Sequence, residues 1–159
     1  MLDKNIRNKI SFDDTVIEEL LEKAYWIVDI LPKQVPKNSA GQYAAVEQYY
    51  LQGPQRSMLR RKYLTIFLKL NCYYDLAVST DCGEYWSENP EPQKMGEWLL
   101  SDVGVRTLHV MIPTRNTMMV LDHDDTYMTV YNPAVELLQM LQTLAGAEGL
   151  FMWKKAASS

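Results

Sequence analysis

Asp122, His123, Asp124 and Asp125 form the densest set of metal-ligating side chains in the sequence. Three carboxylates and an imidazole suit a divalent cation that activates water, the chemistry of a metal-assisted hydrolase or nuclease. The order is not that of a calcium-binding loop: counting from Asp122, the sixth position is Tyr127 where that loop has glycine, and the twelfth is Pro133 where it has glutamate. Aspartates between two strands also support tight turns. The cluster is therefore read first as a hairpin turn, with Asp122, His123 and Asp124 as the alternative metal ligands. A nuclease centre would need further carboxylates, for which Asp75 and Glu84 are the candidates.

His109, the other of the two histidines, sits in a strand-like stretch and reads as a hydrogen-bonded structural residue. Cys72 and Cys82 have no C-x-x-C spacing and read as reduced, partly packed thiols; a bridge between them would need an oxidising compartment. The seven glycines, at 41, 53, 83, 96, 104, 146 and 149, make neither of the two glycine-rich phosphate loops, and the serine-hydrolase elbow G-x-S-x-G is missing. No catalytic residue and no cofactor is assigned.

A second anomaly is basic. Between Pro54 and Leu70 stand Arg56, Arg60, Arg61, Lys62 and Lys69 with no acidic residue, although the 159-residue chain carries 16 basic against 20 acidic groups. At ~100° per residue, the consecutive Arg60, Arg61 and Lys62 spread around a helix rather than forming one phosphate-tracking stripe. The first reading is a solvated or internally neutralised helix, with Asp81, Glu84, Glu88 and Glu91 as the internal counter-charges. An acidic partner, or a nucleic acid engaged by Arg56, Arg60 and Arg61, is the alternative. The acidic balance disfavours nucleic acid as the main partner. Ten tyrosines and four tryptophans are a heavy aromatic load, and such side chains anchor interfaces. Trp26 falls about half a turn from the nearest apolar stripe, beside Glu19 and Glu22, so it is covered by a second layer or anchors a partner. Tyr85 and Trp86, next to an acidic loop, are the second aromatic candidate.

These residues need elements to hold them. Ile17, Leu20, Leu21, Ala24, Tyr25, Val28 and Leu31 recur every three or four positions, which predicts a helix from about Asp13 to Leu31, capped by Asp13, stapled by Phe12 and Ile17, and stopped by Pro32. A loop over 33–40 and a short helix from Gln42 to Leu51, closed by Gly53-Pro54, follow. The basic helix runs from Gln55 to about Asn71; Leu64 and Leu68 lie off its main stripe, the mark of a helix central in its domain or covered by a partner. Asp75 to Trp86 reads as a hairpin turning at Asp81-Cys82-Gly83, and Lys94 to Leu100 as a short helix. From Arg106 the period becomes two. Strands there, at Thr117 to Leu121 and at Thr126 to Tyr131 make a three-stranded antiparallel meander. Asn132-Pro133 opens a helix with Leu137, Leu138, Met140, Leu141 and Leu144 inward, ended by Gly146 and Gly149, and 150–153 can return to the sheet.

The expectation is an α+β fold: an antiparallel sheet, the meander plus one or more further strands, packed against helices that lie mainly in the N-terminal half. One domain spans 1–159, with 1–10 and 156–159 frayed. No apolar run reaches the ~18 residues that cross a bilayer, the first ten residues are too polar for a signal-peptide core, and a cytoplasmic address without membrane contact follows. The leading functional reading is a non-enzymatic binding or regulatory protein, inhibitor- or immunity-like, engaging a protein partner or a second copy through Trp26, Arg56, Arg60, Arg61, Tyr85 and Trp86. The metal-assisted hydrolase and the nucleic-acid-binding module are the alternatives.

Overall fold

The computed structural model describes residues 9–10, 14–101 and 105–155. Strands β1 (Lys9–Ile10), β2 (Tyr25–Asp29), β3 (Ala77–Ser79), β4 (Trp86–Glu88), β5 (Thr107–Ile112), β6 (Thr117–Asp122), β7 (Met128–Tyr131) and β8 (Phe151–Lys154) pair antiparallel in the order β1-β4-β3-β5-β6-β7-β2-β8. Helices α1 (Asp14–Leu21), α2 (Ala40–Tyr50), α3 (Gly53–Leu70), α4 (Pro92–Leu100) and α5 (Val135–Ala147) complete the α+β fold. The meander is β5-β6-β7, joined by a 3₁₀ turn at Pro113–Arg115 and by the aspartate turn, and β8 returns to the sheet beside β2. Lys9 and Ile10, expected to fray, instead pair with Ser87 and Trp86. Phe12 and Asp13, expected to staple and cap the first helix, lie outside the described residues.

The long first helix is corrected. It stops at Leu21, and Tyr25–Asp29 is a strand paired on both sides, with β7 and with β8. Tyr-Trp-Ile-Val is a β-branched and aromatic run, and a central strand covered on both faces is apolar at successive positions. Such a run mimics a helical stripe when it is read onward from a real amphipathic turn. The helix cap at Asn132 is also corrected: Asn132 takes a left-handed backbone (φ 61°), and its side-chain amide donates to the Asn116 carbonyl at 2.9 Å. The helix starts later, where the Leu138 amide donates to the Ala134 carbonyl at 2.8 Å. Gly53-Pro54 opens α3 rather than closing α2, with Gly53 at φ 57° and proline in the first turn.

Two cores form, one on each face of the sheet. On the first, α3 packs with α4 and α5 against Val28, Val78, Leu108, Val110, Ile112, Met119, Leu121, Met128 and Val130. Leu59, Tyr63, Leu64, Ile66, Phe67 and Leu70 are all buried, so α3 is the central helix that its several apolar sides predict. Each such side chain contributes roughly 1.5–3 kcal/mol by leaving water. Tyr63 keeps its hydroxyl satisfied between the Thr126 and Val28 carbonyls, at 2.7 and 3.1 Å. On the second face α1 covers only one half of the sheet, where Leu20 packs with Ala77, Trp86, Met111 and Met118. The other half, built by β7, β2 and β8, faces the segment after Pro32.

Candidate functional site

The aspartate turn and the basic helix meet. The Arg56 guanidinium lies against the His123 ring, 2.7 Å from Nε2, and donates to the His123 carbonyl at 3.2 Å. Asp122 is tied up within the turn and the neighbouring strand: its Oδ2 accepts from the Thr107 hydroxyl at 3.1 Å and its Oδ1 from the Asp124 amide at 3.0 Å. Arg106 and Asp124 form an exposed ion pair at 3.6 Å. Burial and the flanking Arg56 and Arg60 hold the His123 pKa below the ordinary histidine range. Among the described residues no group of three His, Cys, Asp or Glu side chains is placed to hold a metal. Arg56 thus contacts the imidazole that the hydrolase reading requires, and the aspartates stand in the turn between β6 and β7.

The predicted interface residues do not form one surface. Arg60 is 7% exposed, its Nε donates to the Leu99 carbonyl between α3 and α4, and burial lowers its pKa. Trp86 is 1% exposed under α1, with its indole donating to the Gly83 carbonyl at 3.1 Å. Trp26 is half-buried and packs from β2 against the first-face core. Arg61 and Tyr85 are exposed. Tyr85 adjoins β4 and Trp26 lies on β2, five strand positions away, or about 24 Å at the usual inter-strand spacing. Cys72 and Cys82 are both exposed free thiols.

A concavity rich in aromatic side chains lies on the second face, beside the part that α1 leaves open. Its volume is about 520 Å³. The floor is set by strand register. Tyr131 pairs with Tyr25, and Thr129 pairs with Ile27, which pairs with Trp153; Asp29 pairs with Phe151. Alternate residues of a strand share a face, so Tyr25, Ile27 and Asp29 point one way while Trp26 and Val28 enter the first-face core. The opposite wall is the segment Lys33, Gln34, Val35, Pro36 and Lys37 with Tyr43 from α2. Pro32 and Pro36 keep this wall out of helix until the 3₁₀ turn at Lys37–Ser39.

Four tyrosines and one tryptophan thus line the same concavity as Asp29, with Tyr25 and Tyr131 at its other end. Asp29 is only 4% exposed, and burial raises its pKa, opposed by the Ile30 and Leu31 amides. The Ile30 amide reaches Oδ1 at 2.7 Å. The Trp153 indole nitrogen is near enough to favour the carboxylate, yet it is buried and short of hydrogen-bond geometry with any partner. Tyr43 and Tyr127 are pushed up to about 12 by burial and by the carboxylates of Glu47 and Asp125 respectively, so both hydroxyls stay neutral donors. The sequence reading missed this site. Its one legible signal is the period-two set Tyr127, Thr129 and Tyr131, a strand face carrying polar aromatics where a plain core would carry aliphatic residues.

Neither protein-family models, nor curated proteins, nor solved structures give a match to this chain. The reading of the site therefore rests on its geometry.

Proposed function

We propose that the chain is a binding and regulatory protein without turnover chemistry, and that it binds through the tyrosine-walled pocket between β7, β2, β8 and residues 33–43. The observation that carries this is the buried carboxylate lining a 520 Å³ aromatic concavity, within the roughly 300–1,000 Å³ of small-molecule sites. A fold with no use for this volume fills it with aliphatic side chains. The occupant is a small molecule or one side chain of a protein partner. The test is two-dimensional amide NMR of the full chain against neutral aromatic fragments. Shifts are expected at Ile27, Thr129 and the Trp153 indole, and they shrink in Tyr43→Ala. Fragments that bind elsewhere, or none that bind, would remove the reading.

A macromolecular partner docked in inhibitor-like fashion is the second reading. It is favoured by α2, which has no buried residue and exposes Val46 and Tyr49, with Met58 of α3 64% exposed. Val46→Glu combined with Tyr49→Glu would abolish such docking and leave fragment binding unchanged. Light scattering that shows the same monomer for parent and variant, with no partner recovered from the native host, would count against it.

A further inference from the structure

Resting on the reading of this pocket as the binding site, we propose that its ligand class is amphoteric: an apolar or aromatic body with an ammonium-type group seated at Asp29 and an acidic group held at Lys155. Tyr25 and Asp29 stand four residues apart on one face of β2, about 13 Å at strand rise. At the far end is Asp29, beside Phe151 on β8. At the near end the Lys155 amide donates to the Tyr25 carbonyl at 3.2 Å, so the ammonium-bearing residue adjoins Tyr25 and its partner Tyr131. Between them Ile27, Thr129 and Trp153 make a floor without charge.

Asp29 is nine-tenths buried and more, and among the described residues the ion pairs are Lys94–Glu97 and Arg106–Asp124, neither of which involves it. Glu47 adds negative potential at the same end. A buried carboxylate is satisfied by an organic ammonium through ion pairing, here in a pocket whose lining includes tyrosine rings, a residue type that attracts cations. A ligand that is only cationic would meet Lys33, Lys37 and Lys155 around the same pocket, and one that is only anionic would meet Asp29. A molecule with both charges at opposite ends meets neither repulsion.

The probe is a benzene ring with an aminoethyl arm and, para to it, a carboxyethyl arm; in two controls a propyl group replaces one arm or the other. Affinities are measured by calorimetry and the site by amide NMR. The doubly charged probe is expected to bind about tenfold tighter than either control, as one charge-assisted contact contributes. Asp29→Asn should remove the gain from the amine while leaving the acid-only control within about twofold; Lys155→Met should do the reverse. Equal affinities for all three probes, each shifting Ile27 and Trp153, would overturn the amphoteric assignment and leave the pocket reading standing. Failure of all three probes would overturn the assignment, and failure of neutral aromatic fragments as well would remove the pocket reading. Lys155 lies at the sheet margin, so its variant keeps the test decisive even if Asp29→Asn does not fold.

Discussion

Arg60 and Arg61 are adjacent and chemically identical, yet the fold uses them oppositely. Arg60 is buried with its Nε on the Leu99 carbonyl, whereas Arg61 is exposed. Arg60→Ala removes packed methylenes and strips a buried carbonyl of its donor, and should cost about 2–4 kcal/mol; Arg61→Ala should stay within about 0.5 kcal/mol. Urea unfolding of the two variants checks this, and equal effects would refute the buried role. Asp29 carries a pH signature of definite sign. Its folded pKa lies above the ordinary 3.8, so the fold is least penalised below that value and loses stability as pH rises through the folded pKa. Asp29→Asn lacks this loss. The stability of the variant relative to the parent should therefore grow from pH 4 upward and level off once the parent carboxylate has ionised. His109 acts in the opposite sense: burial lowers its pKa from 6.5, so its contribution is present above that value and lost as pH falls through the folded pKa. Unfolding midpoints across pH in a His109→Gln background separate the two, and a gap constant with pH would show that Asp29 titrates alike in both states. Neither behaviour was legible in the sequence, because burial of one charge depends on which strands flank it.

The elements divide into those fixed by local chemistry and those fixed by distant partners. The hairpin at Asp81-Cys82-Gly83 was legible, since its residues take the left-handed backbone that such turns require, with Cys82 at φ 59° and Gly83 at φ 89°. The Asp81 carboxylate accepts from the Ser79 hydroxyl at 2.8 Å and the Tyr85 amide at 3.0 Å. Meander, α3, α4, α5 and β8 were legible for the same reason: periodicity and turn residues agree locally. Residues 22–31 were not. Ile17, Leu20 and Leu21 belong to a real helix, and nothing in Tyr25–Asp29 itself distinguishes continued helix from a central strand until β7 and β8 supply its partners. The pocket went unread with it, because its floor is that strand. Three glycines test the element boundaries. Gly83→Ala meets Ile17 Cδ1 at 3.2 Å in a backbone unfavourable for alanine, so it should loosen α1 over Trp86 and cost about 1–3 kcal/mol. Gly149→Ala, at φ 74° with only Lys62 Nζ nearby, should cost about 1 kcal/mol from backbone strain alone. Gly146→Ala, inside α5 with open space around it, should stabilise by up to about 1 kcal/mol. Thermal unfolding ranks the three, and an order other than this one would refute the assigned turn conformations.

At the scale of the whole molecule, the sheet is closed by its last strand. β2 waits for β7 and β8, roughly a hundred residues later in the chain, before either of its edges is satisfied. Pairings of that sequence separation form late, since loop-closure entropy must be overcome before the contacts exist. Removing the chain from residue 150 onward takes away β8, and with it Trp153 and Lys155 from the pocket floor. It also uncovers the backbone of Trp26–Asp29, four residues that β8 pairs in register from Lys154 to Phe151. An unpaired apolar strand is a template for another copy of itself. The first-face core loses Leu150 and Met152, and α5 loses its packing on β8, whereas the contacts of α3 with α4 and α5 and those within the meander remain. The truncated chain should therefore retain most of its far-ultraviolet helical signal but associate through β2, raising the mass seen by light scattering as concentration increases. A truncated chain that stays monomeric and keeps binding aromatic fragments would show that neither the edge nor the pocket depends on β8. Restoring residues 150–155 with Phe151→Lys should return the monomer, because β2 is again paired and the new edge carries added charge against further association.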